Sequence, residues 1–475
     1  MASAADILRL PPELVLRVSS NLNTPDLGAF RRTCKQIETN LFESFAREFF
    51  TKRQFMIEHV SLAALVGIAN HKTLAPYLTE VIIGCDYLSH HEQRSYPHLE
   101  RDLSGQIERG MFTETGQARD MLVDAFSNLP NLRTVGLRDY NGTGRYRDGE
   151  TALWRSYGWS TGLSEEDLRI TGRETLKLGT ATPDFIFPLL LFALGQAASR
   201  PAHINVFLRG QRLPDKSFNV LAGYMYPKVE PVLSKLRTLL LSLNDSVSVS
   251  SHDAPHDNLK RFLRHTPVLE HLRLNFRPGM DANTLLEWLG PPLHGSVQLQ
   301  YLTTLDLGLL SADPAVLLPI ISKFPLTSLS FWKVSLQPRD ALGLLPDSNT
   351  WSLFLKRLGN FISRPSEFKT LMIGYPVDGS RTTSWVRDAG AVKFASRITT
   401  DANGEKVFED LQSQVTYRKH FGSDVRTWLE DLALRTHLPD QSGQEDDSSD
   451  ESEEEDSDLD AVEEIIDVDD DDEDA

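Results

Sequence analysis

Several side-chain groupings in this chain have the make-up of chemical sites. His90-His91-Glu92 with His98 offers imidazoles and a carboxylate, a donor set for a transition metal. Its spacing fits no structural zinc pattern, and a solvated loop is the stronger reading. His252-Asp253 and His256-Asp257 form a doubled His-Asp pair in a stretch rich in Ser, Asp and Pro. Asp257 is better placed to cap a helix carrying Leu259, Phe262 and Leu263 than to bind a metal. The two cysteines, Cys34 and Cys85, lack metal-like neighbours and point to a reducing compartment. No nucleophile elbow, Walker loop, HExxH pair or kinase set occurs. Gly142-x-Gly144 lacks the strand-to-helix context of a nucleotide fingerprint. No cofactor, metal or catalytic residue is expected.

The elements that would position any site begin at the N-terminus. Pro12 suits the first turn of a helix, because the N–H it lacks would be unpaired there. Leu14, Val15, Val18 and Leu22 recur at helical steps and predict one apolar face. Thr24-Pro25-Asp26 predicts a second helix start, with Thr24 as hydroxyl cap and Asp26 near the positive end of the dipole. Leu27, Phe30 and Cys34 continue the pattern, and Ile37, Leu41 and Phe45 carry a third helix. So short a helical unit buries only a small core and usually completes its burial against a partner.

Leu10-Pro11-Pro12-Glu13-Leu14, then Leu22, Asp26-Leu27, Phe30 and Cys34-Lys35, resembles the F-box. The resemblance implies a helical module that docks on the Skp adaptor of cullin-based ubiquitin ligases. It implies Leu10, Pro11, Pro12, Glu13, Leu14, Leu22, Leu27 and Phe30 as the adaptor-binding residues. The chain departs from the family pattern at Ser19-Ser20, where an aliphatic pair is usual, and at Ile37, which stands for a common Trp. An ordinary amphipathic helix pair is the plain alternative.

Forty per cent apolar residues with 9% aromatics is globular composition. The net charge of −18 is local: 20 of the 67 acidic residues lie in 441–475, leaving 47 against 49 Lys and Arg. A near-neutral body offers no electrostatic case for nucleic acid. No secretory leader follows Met1, and the run from Phe185 to Leu194 is interrupted by Pro188 and too short to span a bilayer. The expectation is a soluble, cytoplasmic and/or nuclear protein with no membrane partner.

Beyond a bridge at 47–55 and a helix from Ser61, Leu78 to Gly84 reads as a strand. The template apolar-x-x-apolar-x-apolar then recurs at Leu132/Val135/Leu137, Leu236/Leu239/Leu241, Leu269/Leu272/Leu274 and Leu302/Leu305/Leu307. It returns at Leu326/Leu329/Phe331 and Phe368/Leu371/Ile373, with starts from 236 onward spaced 33, 33, 24 and 42. Helical stretches ending in Pro130, Pro267 and Pro325 precede several copies. A helix, a turn and a strand restated in this way predict a degenerate leucine-rich-repeat-like solenoid with a parallel sheet. Alternation puts the residues between template positions on its concave face: Arg138, Leu240, Arg273, Asn275, Asp306, Trp332 and Met372. A non-repetitive α/β body is the alternative.

Residues 139–180, with scattered Gly, Arg and aromatics, read as a long inserted loop. Phe185 to Ser199 reads as a buried helix, and Glu405–Phe421 and Asp424–His437 as amphipathic helices, the latter capping the solenoid or, as the second reading, binding a partner. The tail is too charged to order itself. Within it Ile465-Ile466-Asp467-Val468 reads as a SUMO-interacting motif or as a chance aliphatic island. Ser442, Ser448, Ser452 and Ser457 each have an acid three residues on, a pattern for acidophilic kinases.

The expected fold is α/β: an F-box over 6–50, a repeat-like substrate-binding region over 51–440 and a disordered acidic tail over 441–475. The layout resembles the F-box proteins of filamentous fungi. That resemblance implies a non-catalytic substrate receptor of a Skp-cullin-F-box ubiquitin ligase, with a scaffold or chromatin-associated adaptor as the other reading.

Overall fold

Every copy of the apolar template becomes a strand, and its first residue is buried just before the strand begins. The structure is a computed structural model. It describes residues 7–87, 110–149, 151–158, 179–180, 182–221, 223–247, 257–291, 299–339, 349–379, 390–400, 404, 406–420 and 423–438. The His90–His98 group, His252-Asp253, His256 and the tail with Ile465, Ile466 and Val468 lie outside those residues.

Helices α1 (Pro12–Ser19), α2 (Thr24–Arg31) and α3 (Lys35–Phe50) come first. The main sheet then runs through β1 (Lys52–Met56), β2 (Glu80–Gly84), β3 (Thr134–Arg138), β4 (His203–Phe207) and β5 (Thr238–Ser242). It continues through β6 (His271–Asp281), β7 (Thr304–Ala312), β8 (Ser328–Trp332), β9 (Thr370–Gly374) and β10 (Gln414–Arg418). The strands neighbour one another in chain order, and all pairs are parallel except β9 with β10. Parallel neighbours need a crossover, and helices such as Pro183–Gln196, Pro314–Lys323 and Thr350–Phe361 supply it. Their apolar sides share one core with Val135, Leu137, Leu239, Leu241, Leu272, Leu274, Leu305 and Leu307. One face of the sheet is therefore covered by helices, as a mixed α/β layer requires. Among the described residues no helix is long and apolar enough to cross a membrane.

Polar side chains tie neighbouring units together at the ends of the strands. The Asp139 carboxylate accepts from the backbone N–H groups of Arg209, Gly210 and Gln211 at 2.7–2.9 Å. Asp215 accepts from Leu259 N at 3.0 Å, and Asn283 Oδ1 from Asp313 N at 2.8 Å. Asp378 takes the Thr350 N–H at 2.9 Å and its hydroxyl at 3.1 Å. The bridges to Leu259, Asp313 and Thr350 satisfy buried backbone donors that would otherwise cost desolvation energy.

Several expectations are corrected. Asp257 stands before the helix Asn258–Leu263 but makes no side-chain cap; Asp215 serves those N–H groups from another unit, and Asp257 pairs with Lys260 at 3.0 Å. Thr24 does not cap α2; Asn23 Oδ1 accepts from Asp26 N at 2.8 Å. Glu405–Phe421 is not a helix: Lys406–Gln412 and β10 are strands. Val415 and Tyr417 point to the core while Gln414, Thr416 and Arg418 stay outside, a period of two. The sheet also leaves the edge of β9 open, and β10 pairs there antiparallel. The following helix spans Val425–Arg435, shorter than Asp424–His437, with Asp424 Oδ1 accepting from Arg426 N.

Candidate interaction surfaces

The first surface lies on α1. This helix has eight residues, with Pro11 at the N-cap and Pro12 at its first position. Val15 turns inward and joins Leu27, Ile37, Leu41 and Phe49 in a small core separate from that of the body. Leu14 and Val18, four residues apart on the other side, are 45% and 42% exposed. Ile7 and Leu8 in the preceding turn are exposed as well. The apolar residues of α1 thus split into an inner set and an outer set. Pro11, Pro12 and Glu13 are exposed beside Leu14, whereas Leu10, Leu22 and Phe30 are half-buried against the small core. Leu27, at 3% exposure, lies in the small core with Ile37 and Leu41 of α3.

The segment expected as an open inserted loop instead grips this helical unit. Gly142–Thr143 pairs with Leu153–Trp154, and a turn at Tyr146–Asp148 projects between them. Gly144 permits this hairpin: a Cβ there would lie 2.4 Å from the Ala152 carbonyl oxygen. Arg147 Nη1 donates to the Ser19 carbonyl at 3.0 Å and the Leu22 carbonyl at 2.6 Å. Its Nη2 donates to Glu48 Oε2 at 2.6 Å, and Nε donates to Glu48 Oε1. The Asp148 carboxylate accepts from Thr24 N at 2.8 Å and from the Thr24 hydroxyl at 2.6 Å. Arg145 stacks 4.2 Å over the Phe49 ring. Ends of α1, α2 and α3 are thereby held by three nearly consecutive side chains. The same segment covers the outer edge of β1, where Tyr157 N donates to the Gln54 carbonyl at 2.8 Å. None of Arg147, Asp148 and Glu48 stood out in the sequence; the signal was the Gly-flanked run Arg145-Tyr-Arg-Asp148.

The second surface is the sheet face away from the helices. Cross-strand register aligns Gln54, Ile82, Gly136, Asn205, Leu240, Arg273, Asp306, Ser330, Met372 and Thr416 in one row. Arg138 and Trp332 fall in a different row, on β3 and β8. Asp306 Oδ2 accepts from Arg273 Nε at 3.1 Å and Nη2 at 3.0 Å, and lies 2.8 Å from His271 Nε2. Burial raises the carboxyl's affinity for a proton, but the Arg273 charge and the His271 contact outweigh it and hold the group below the usual carboxylate range. Trp332 stands edge-on to Tyr375, with ring centroids 5.1 Å apart. Gly374 makes room for that indole, since a Cβ there would meet it at 2.4 Å. Met372 is half-buried, while Arg138, Arg273, Asp306 and Trp332 are mostly enclosed. Leu240, in the same row, is 1% exposed. Among the described residues no group of three or more His, Cys, Asp or Glu is placed to hold a metal ion.

The F-box domain family model matches residues 7–39. No curated protein matches the chain. Among solved structures the chain is similar to one described as the crystal structure of the Rad7 and Elc1 complex in yeast. The identity is 14%, over 71% of this chain and 92% of that one, with a TM-score of 0.22.

Proposed function

We propose that this chain is a non-catalytic substrate receptor of a Skp-cullin-F-box type ubiquitin ligase. The observation that carries the reading is the apolar face of Ile7, Leu8, Leu14 and Val18, exposed inside the segment that matches the F-box model. Apolar side chains left free on a helix whose inner face already fills a core favour a protein contact. An F-box implies a Skp-like adaptor on that face, with cullin recruited through it. Leu10, Leu22 and Phe30 flank the contact.

The body is read here as a leucine-rich-repeat-like receptor. Parallel strands written on one template, with Asp and Asn side chains bridging successive units, support that reading. The sheet face away from the helices would hold the protein to be ubiquitinated, with Arg138, Leu240, Arg273, Asp306, Trp332 and Met372 shaping it. Ile465, Ile466 and Val468 would serve as a SUMO-interacting motif, and the setting would be cytoplasmic and/or nuclear.

The test is co-purification from native extract, comparing wild type with Leu14→Asp/Val18→Asp and identifying partners by mass spectrometry. A receptor captures adaptor and cullin only as wild type, and proteins common to both baits are substrate candidates. Capture of adaptor and cullin by the double variant overturns the assignment of the face. A scaffold working outside a ligase would retain adaptor without cullin.

A further inference from the structure

We propose that residues 142–154 of the body are a fourth element of the adaptor-binding module, with Arg147 as the positioning residue for α1. The inference rests on the adaptor reading above. An isolated helix of eight residues is unstable in water, so α1 depends on what surrounds it. At its start Pro11 makes no side-chain cap. At its end the last carbonyls need donors. Local N–H groups of Ser20, Asn21 and Leu22 serve Leu16, Val18 and Ser19, and Arg147 adds a charged donor to Ser19 and Leu22. Val18, one of the two exposed apolar residues of α1, lies in that last turn.

The turn between α1 and α2 is held from outside at both ends. Arg147 takes the carbonyls on the α1 side, and Asp148 takes the Thr24 N–H and hydroxyl on the α2 side. Glu48 anchors the same guanidinium to α3. Arg147 is 11% exposed, and its bonds to the Ser19 and Leu22 carbonyls are half-buried, where charged hydrogen bonds are stronger than in open water. The fork is bidentate toward Glu48, a geometry that lysine does not reproduce. The module's contact face is thus set by a segment more than ninety residues further along the chain, as the 99-residue separation of Glu48 and Arg147 shows. An adaptor docking on α1 meets a preformed helix end, and the ordering cost that a bare F-box would bear at binding is already met by the body.

The experiment uses the full chain and a purified Skp adaptor, with calorimetric titration beside hydrogen exchange on the free receptor. Variants are Arg147→Ala, Arg147→Lys and, as the contact control, Leu14→Asp. The expected result is that Arg147→Ala weakens binding about tenfold and speeds amide exchange in 16–24. Arg147→Lys does not restore either property. Leu14→Asp abolishes binding with exchange unchanged. Wild-type affinity and wild-type exchange in Arg147→Ala overturn the inference. Failure of the wild type to bind adaptor overturns the functional reading, whereas the exchange measurement still decides whether Arg147 holds α1. If Arg147→Ala loses protection across the whole sheet, Asp148→Asn and Glu48→Gln, which each remove one leg, carry the same comparison.

Discussion

Arg147 Nη1 lies 2.6 Å from the carbonyl oxygen of Leu22, 125 residues earlier in the chain. Through this bond and its bonds to Ser19 and Glu48, the guanidinium joins the N-terminal helices to the body at a second point, apart from the covalent passage from α3 into β1. A single covalent joint would leave a hinge. These bonds, with the edge-on packing of Phe42 on α3 against Tyr77, define an orientation.

Thr24→Val keeps the backbone bond to Asp148 and removes the hydroxyl bond. The expected loss is about 1 kcal/mol. Asp148→Ala removes both acceptors and is expected to cost about 2 kcal/mol. Urea unfolding followed by exchange in α1–α3 separates these values; equal stability of both variants would contradict the bonding described.

Leu14 and Leu27 provide a matched pair of leucines in one module. Leu27→Ala opens a cavity in the small core and is expected to destabilise it by about 3 kcal/mol. Leu14→Ala, at an exposed site, is expected to shift stability by less than about 0.5 kcal/mol. Denaturation midpoints of the two variants check the assignment of inner and outer faces.

Asp306 has its carboxyl held below the ordinary value of 3.8 despite burial. A group with a depressed folded pKa stabilises fully above its unfolded pKa, and the contribution is lost as pH falls through the folded value. Asp306 is therefore expected to add nothing to pH dependence near neutrality, with its loss confined to strong acid. Asp306→Asn is expected to cost about 3 kcal/mol at neutral pH by leaving Arg273 buried without its partner. Its stability should fall less steeply than wild type on acidification, which thermal unfolding from pH 6 downward, in steps of about one unit, would measure.

Gly374→Ala places a methyl group against the Trp332 ring carbons. Displacing a packed indole is expected to cost about 2 kcal/mol. Near-ultraviolet circular dichroism of the aromatic region, together with the unfolding midpoint, reports on this position.

Much of the sheet was legible because a buried strand face repeats every second residue and the template captured that repeat in order. The strands at 406–418 were misread as a helix because Val407, Leu411 and Val415 also fall four apart. Their partners decide between the two periods: Lys406–Gln412 pairs with Lys393–Thr400, and β10 with the edge of β9. In α1 the leucine and valine positions suggested one apolar face, and the packing of α3 divides it into two. The grip of Arg147 on Ser19 and Glu48 joins positions 128 and 99 residues apart, and no local pattern encodes contacts at that range. Bridges such as Asp215 to Leu259 are hidden for the same reason.

The central claim is that the outer face of α1 binds a Skp adaptor. Titration of purified adaptor into the full chain and into Leu14→Asp/Val18→Asp tests it most directly. Saturable binding to wild type and none to the variant is expected, with the variant's unfolding midpoint unchanged. Equal binding by both proteins would contradict it.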